Sequence, residues 1–184
     1  RETSPSTFEG GSSPTVWSFS FHDSDGSGPL PTRLFATGTF RKVGGADAAG
    51  IAVFDNGEWH GLGQPDDSID SRWLINFDHD GNPNTPAWLV GLASRGRDMP
   101  DYPLVTRWSG SGWEPIGDLT RGSELSDPEI TFATGFDEDG AGPNPPTLFI
   151  AIGLGPSPKV RRLQDGQWLG TGQSGFGNGC YALT

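Results

Sequence analysis

The chain repeats itself. Trp59, Trp113 and Trp168 stand 54 and 55 positions apart, and each opens a short ending that closes on glycine: Trp59-His-Gly-Leu-Gly63, Trp113-Glu-Pro-Ile-Gly117 and Trp168-Leu-Gly-Thr-Gly172. A fixed period of this length marks a supersecondary unit that buries its apolar face mainly against copies of itself. Ahead of each Trp lie a strand-like run and a turn pair: Ile51-Ala-Val-Phe-Asp-Asn-Gly57, Leu104-Val-Thr-Arg-Trp-Ser-Gly110 and Val160-Arg-Arg-Leu-Gln-Asp-Gly166. Asn-Gly, Ser-Gly and Asp-Gly supply the positive φ angles that two-residue hairpins need.

Two further strands precede these in every unit. The first are Val16-Trp-Ser-Phe-Ser-Phe21, Trp73-Leu-Ile-Asn-Phe77 and the run from Ile130 to Phe136. The second are Leu34-Phe-Ala-Thr-Gly38, Trp88-Leu-Val-Gly-Leu92 and Leu148-Phe-Ile-Ala-Ile152. The Gly and Ala in the second strand suit the inner part of a unit, where space narrows. One unit is then four short antiparallel strands joined as a meander. The pattern predicts strands near 16–21, 33–40, 50–55 and 58–63, near 72–77, 87–92, 104–108 and 113–117, and near 130–136, 147–152, 160–164 and 167–170.

With 29 Gly and 16 Pro in 184 residues, the composition alone would permit disorder, but 7 Trp, 11 Phe and 2 Tyr recur at regular intervals between the turns. Aromatics spaced in this way read as strands. No stretch carries a helical apolar rhythm long enough to predict a helix. The reading is all-β: a partial β-propeller of about three four-stranded antiparallel blades plus the first strand of a fourth. The units fall near 14–66, 67–122 and 123–173, and 174–184 begins a further one. The repeat tryptophans, with Phe54 and Trp108, are expected to pack between neighbouring blades.

These residues resemble kelch-like propeller repeats, in which an aliphatic strand ending in Gly is followed by a strand ending in aromatic-Asp and then a Trp strand. Leu34-Phe-Ala-Thr-Gly38, Ala52-Val-Phe-Asp55 and Trp59 keep that order. The chain is also similar to bacterial tandem repeats of the form LYxGGxF…AGG…IAxWDGxxWxxLG, through Leu34 to Phe40, Gly44-Gly45, Ile51 to Asp55 and Trp59 to Gly63. The second and third units lack the double glycine. The resemblance implies a propeller fold and an extracytoplasmic protein, whether secreted, periplasmic or at the cell surface. The acidic, Lys-poor texture agrees with that location.

The formal net charge of −11 opposes non-specific binding of nucleic acid, whose phosphates it would repel. No apolar run approaches the roughly 18 residues of a spanning helix. The single cysteine, Cys180, excludes an internal disulfide framework and a paired-cysteine metal site. The sequence starts at Arg1, so a signal peptide or upstream chain is expected to have been removed.

The strongest candidate site is a loop that recurs between first and second strands: Asp23-Ser-Asp25-Gly26, Asp78-His-Asp80-Gly81 and Asp137-Glu-Asp139-Gly140. Paired carboxylates beside a turn glycine are what Ca²⁺ requires, so Asp23, Asp25, Asp78, Asp80, Asp137 and Asp139 are candidate ligands and Ca²⁺ is the one cofactor considered. The alternative is that Asp and Gly simply make the turn. An EF-hand's later bidentate Glu is absent. Asp55, Glu58, Glu138 and Asp165 are expected at the same end. The opposite end gathers Arg41, Lys42, Arg95, Arg97 and Lys159, with Arg161 and Arg162 just beyond, which reads either as a dock for an anionic partner or as a mixed solvated surface.

Catalysis finds little support. There is no Gly-x-Ser-x-Gly elbow, and His22, His60 and His79 match no zinc spacing. No carboxylate pair stands out as a glycosidase would need. Asp55-Asn-Gly-Glu-Trp59 lacks the leading Ser or Thr of a sialidase Asp-box. Cys180 and Tyr181 are adjacent, so as strand residues they point to opposite faces and do not suit a crosslinked copper-radical site.

The expected function is therefore a non-catalytic scaffold or protein-interaction subunit, with a carbohydrate-binding propeller as the alternative, since Trp88 and Trp108 depart from the repeat. Closed propellers have at least four blades, so a protein partner or the rest of a longer polypeptide should complete the ring. Its contact faces should carry Trp17, Phe19 or Phe21 at one end and Phe149, Leu163 or Trp168 at the other. Cys180 should lie near that junction.

Overall fold

A computed structural model describes residues 7–10, 13–62, 70–82, 84–94, 105–117, 119, 130–140, 142–153 and 159–171. Fifteen strands follow in chain order: β1 Phe8–Glu9, β2 Val16–His22, β3 Arg33–Gly38, β4 Lys42–Val43, β5 Ala46–Asp47, β6 Ile51–Asp55, β7 Glu58–Gly61, β8 Asp70–Phe77, β9 Trp88–Ser94, β10 Val105–Trp108, β11 Trp113–Pro115, β12 Ile130–Phe136, β13 Thr147–Ile152, β14 Lys159–Gln164 and β15 Gln167–Gly170. The described residues include no helix. The expected strand that would start a further unit, over 174–184 with Cys180, lies outside the described residues.

Twelve strands form three four-stranded antiparallel meanders. Sheet I is β2-β3-β6-β7, sheet II is β8-β9-β10-β11 and sheet III is β12-β13-β14-β15. Their registers repeat. Leu34, Phe54 and Trp59 lie in one cross-strand row, with Phe21 opposite Leu34. Asn76 with Leu89 and Trp108 with Trp113 mark that row in sheet II; Gly135 with Leu148 and Leu163 with Trp168 mark it in sheet III. Each first strand also carries an irregularity at one equivalent place, between Val16 and Ser18, Ser71 and Trp73, and Ile130 and Phe132. The repeat therefore extends below the level of strands to individual side-chain rows.

The sheets stack in sequence, and every sheet has a front face carrying its hairpin Trp and a back face. The front of sheet II seats on the back of sheet I, where Leu74, Leu89, Trp108 and Trp113 close over Phe35, Ile51 and Val53. The front of sheet III seats on the back of sheet II, and Ile130, Leu148, Ile150 and Trp168 meet Phe77, Val90, Leu92 and Val105. The first strands approach one another, β2 against β8 and β8 against β12. The small-residue second strand lies one place further in and is the buried one: Phe35, Ala36, Thr37, Leu148, Ile150 and Ala151 are all closed off from solvent. The described residues form no closed ring.

Three features depart from the sequence reading. Phe8–Glu9, ahead of the first expected unit, pairs with Lys42–Val43, which pairs in turn with Ala46–Asp47 as a small three-stranded sheet. Gly44 and Gly45 turn that hairpin at φ of 56° and 82°, so the double glycine of the first unit has a defined use. This small sheet lays Phe8, Phe40 and Val43 against Ala36, Ala52 and Trp59 on the front of sheet I. Second, only two of the three hairpins have two-residue turns. Asn56-Gly57 and Asp165-Gly166 both have positive φ throughout, as a type I′ turn requires. Trp108 instead faces Trp113 across a four-residue loop closed by Ser109 and Gly112. Third, Trp168 and Leu163 face sheet II and not the open end. Trp168 is 8% exposed, and its Nε1–H donates to the Ile116 carbonyl at 2.8 Å.

Candidate functional site

All three acidic loops sit at one end of the stack, together with the hairpins that bear Asp55, Glu58 and Asp165. Their carboxylates are engaged by the chain's own backbone. In the first loop Asp23 Oδ1 accepts the Asp25 N–H at 3.2 Å, and Asp25 Oδ2 accepts the Leu30 N–H at 2.9 Å. In the second, Asp78 Oδ1 accepts the Asp80 and Gly81 N–H groups at 3.3 and 2.8 Å, and Asp80 Oδ1 accepts that of Asn82 at 3.0 Å. In the third, Asp137 Oδ1 accepts the Asp139 N–H at 3.2 Å, while Asp139 Oδ2 takes both the backbone and the side-chain N–H of Asn144 at 3.2 and 2.6 Å. The motif is thus a two-tier Asx turn: the first Asp caps the second, and the second caps the chain beyond.

In the first and third loops a glycine three residues on leaves room for the second carboxylate. A Cβ on Gly28 would lie 2.0 Å from Asp25 Oδ2, and one on Gly142 would lie 2.2 Å from Asp139 Oδ2. Hydrogen bonding to the ionised form lowers the Asp80 pKa, with the Asn82 N–H the main cause. Asp25 Oδ1 is shielded from solvent and has no hydrogen-bond partner. Among the described residues no group of three or more His, Cys, Asp and Glu side chains is placed to hold a metal ion.

Sequence reasoning missed what lies beneath these loops. His22 ends β2 with its ring buried. Its Nδ1 lies 2.8 Å from Asn76 Oδ1 on β8, which assigns the proton to Nδ1 because an amide oxygen only accepts. The Asn76 amide donates onward to the Phe21 carbonyl and to Ser20 Oγ. Burial lowers the His22 pKa and outweighs the opposing pull of Asn76. At the next junction the equivalent residues are Phe77 and Gly135. The signal was present in the sequence: all four belong to the three residue pairs 21–22, 76–77 and 135–136 that immediately precede the Asp-x-Asp-Gly loops.

Shallow clefts open at this end. One of about 320 Å³ is lined by His22, Ser24, Trp88, Arg107, Trp108 and Glu114, among others. Arg107 donates from Nε and Nη2 to Glu114 Oε2 at 3.1 and 3.0 Å. The Trp88 indole is engaged by the stacked His79 ring at 4.3 Å and by the Arg107 guanidinium at 4.7 Å. Trp108 leans on Trp113 with ring centroids 5.3 Å apart. Arg107, Glu114, Trp88 and Trp108 have no counterparts in sheet I, where the same rows carry Val53, His60, Arg33 and Phe54.

The basic end is mixed in charge. Lys42 pairs with Asp47 at 3.6 Å. Arg162, assigned there from sequence, reaches instead toward Glu138 of the acidic loops at 3.9 Å. Arg41, Lys159 and Arg161 have interactions of their own. Arg95 and Arg97 lie outside the described residues, as does the Cys180-Tyr181 pair.

Comparison with protein-family models, with curated proteins and with solved structures found no match.

Proposed function

We propose that the chain is a non-catalytic scaffold, a run of propeller blades outside the cytoplasm that acts as a protein-interaction subunit. One observation carries this reading. Among the described residues no further sheet seats on the back of sheet III, which presents Phe136, Phe149 and Leu169 at the rows by which the back of sheet II is buried. The front of sheet I likewise leaves Phe19, Phe21 and Phe54 exposed beside its small sheet. Large apolar side chains gain about 1.5–3 kcal/mol each on burial, against a typical total stability of about 5–15 kcal/mol. Two such faces favour a partner or further blades that cover them. The extracytoplasmic location rests on the sequence resemblance and on composition. The test is the mass of the native protein isolated from its source. The scaffold reading expects the chain within a larger polypeptide or complex, and a stable, partnerless 19.5 kDa species would overturn it.

A second reading, carbohydrate binding, is favoured by the cleft that Trp108, Arg107 and Glu114 help to line. Its volume of about 320 Å³ falls within the roughly 300–1,000 Å³ range of small-molecule sites, and an indole beside a guanidinium–carboxylate pair suits a sugar's apolar face and hydroxyls. Titration with an oligosaccharide panel, followed by tryptophan fluorescence, tests it. A saturable change lost in Trp108→Ala supports the reading, and no change across the panel removes it.

A further inference from the structure

The two internal junctions obey one rule at the edge where first strands meet. The back of each sheet offers a bulky ring there, His22 on sheet I and Phe77 on sheet II, while the front of the following sheet offers a smaller group, Asn76 or Gly135. His22 is accommodated by a hydrogen bond to Asn76 at 2.8 Å. Phe77 leaves still less room: a Cβ on Gly135 would lie 2.8 Å from its Cδ2. Sheet III continues the series on its back with a third ring, Phe136, which is 58% exposed and whose centroid lies 6.4 Å from that of Phe149. A second element of the junction is also in place. Sheet III is anchored by the Trp168 indole donating to the Ile116 carbonyl just past β11. The Ile116 N–H is bound to the Val105 carbonyl at 2.9 Å, and Thr171, at the equivalent position past β15, is bound to the Val160 carbonyl at 3.3 Å. The Thr171 carbonyl is therefore the equivalent acceptor for an incoming indole.

We propose that the back of sheet III is the seat of a further four-stranded sheet of this same repeat type, one that carries glycine opposite Phe136 and a hairpin tryptophan for the Thr171 carbonyl. The argument is continuity with the interface between sheets II and III, and it rests on the scaffold reading above. The same rule rejects a second copy of this chain. Its front face would bring Phe21, 67% exposed, to the place where Gly135 and Asn76 stand, and two phenylalanines would compete for one space. A small residue at this position thus selects the correct neighbour and prevents head-to-tail self-association, which can otherwise run on into rings or open filaments.

The test uses the full chain and sedimentation velocity across a concentration series. The wild-type chain should show no self-association sensitive to Phe136→Asp. Phe21→Gly together with Phe8→Asp, which removes the clash and also lifts β1 from Trp59, should turn a second copy into an acceptable occupant and raise the mass to two or more times 19.5 kDa. Adding F136D to that variant should return it to the monomer, with circular dichroism confirming that every variant remains β-folded; Phe8→Asp with Phe21→Asn and Phe136→His, which copies the His22–Asn76 pair, serves if the glycine variant does not fold. Wild-type assembly abolished by F136D would overturn the size rule while leaving the scaffold reading intact. Folded F8D/F21G chains that stay monomeric would overturn the proposed seat, whereas the scaffold reading stands or falls separately on the mass of the native protein.

Discussion

His22 and Asn76 tie the first junction together with one neutral imidazole. Because burial holds its folded pKa below the ordinary histidine value, the unfolded chain takes up this proton first as the pH falls. The stability that depends on neutral His22 is complete above the ordinary histidine range and is lost as the pH falls through the lowered folded value. Arg33 adds to the depression and Asp23 opposes it. Melting temperatures measured from pH 8 to 5 should decline, and a His22→Phe, Asn76→Gly double variant, which copies the Phe77–Gly135 junction, should flatten the part of that decline due to His22. The tryptophans offer a second comparison. Trp168 Nε1 has an acceptor, whereas Trp113 Nε1 is buried with none. Trp168→Phe removes a satisfied hydrogen bond and should cost about 1 kcal/mol more in chemical denaturation than Trp113→Phe, which removes an orphaned donor. Both contrasts follow from equivalent positions in the repeat, and those were legible once the units were aligned on their acidic loops. Which tryptophan would find a carbonyl was not legible, because that depends on how one sheet seats on another.

At the scale of the element, the twelve meander strands were readable from alternation and turn residues, with boundaries shifted by only one or two positions. β1, β4 and β5 were not, since two-residue strands carry no period. The middle hairpin was misread because Ser109-Gly110 looks like a two-residue turn until the register shows four residues between Trp108 and Trp113. The acidic loops were located correctly but were open between two uses. Their hydrogen bonds give a distinct expectation: Asp139→Ala, which strips both contacts from Asn144, should cost about 1–2 kcal/mol equally in calcium and in chelator. A melting temperature that rises with millimolar calcium in the wild type and not in the variant would instead point to a bound ion. Which face of sheet III would remain open could not be read from sequence, because Trp168, Leu163 and Phe149 are all apolar and alternation does not say which set meets a neighbour.

At the scale of the whole molecule, the stack has a direction. Fronts seat on backs, no described sheet seats on the last back, and the first front is half covered by the small sheet. The outer strand of that cover, β1, is held by the Arg41 N–H bound to the Glu9 carbonyl, the Gly44 N–H bound to the Thr7 carbonyl, and the edge-on contacts of Phe8 with Phe40 and Trp59. Short pairings of this kind open at far lower free energy than a four-stranded meander. The Arg41 and Gly44 amides should therefore exchange with deuterium well before those of β3 and β6, and acrylamide should quench Trp59 on the same clock while Trp168 stays dark to it. β1 then behaves as a hinged shutter, spending a small fraction of its time with the Trp59 indole beneath it uncovered.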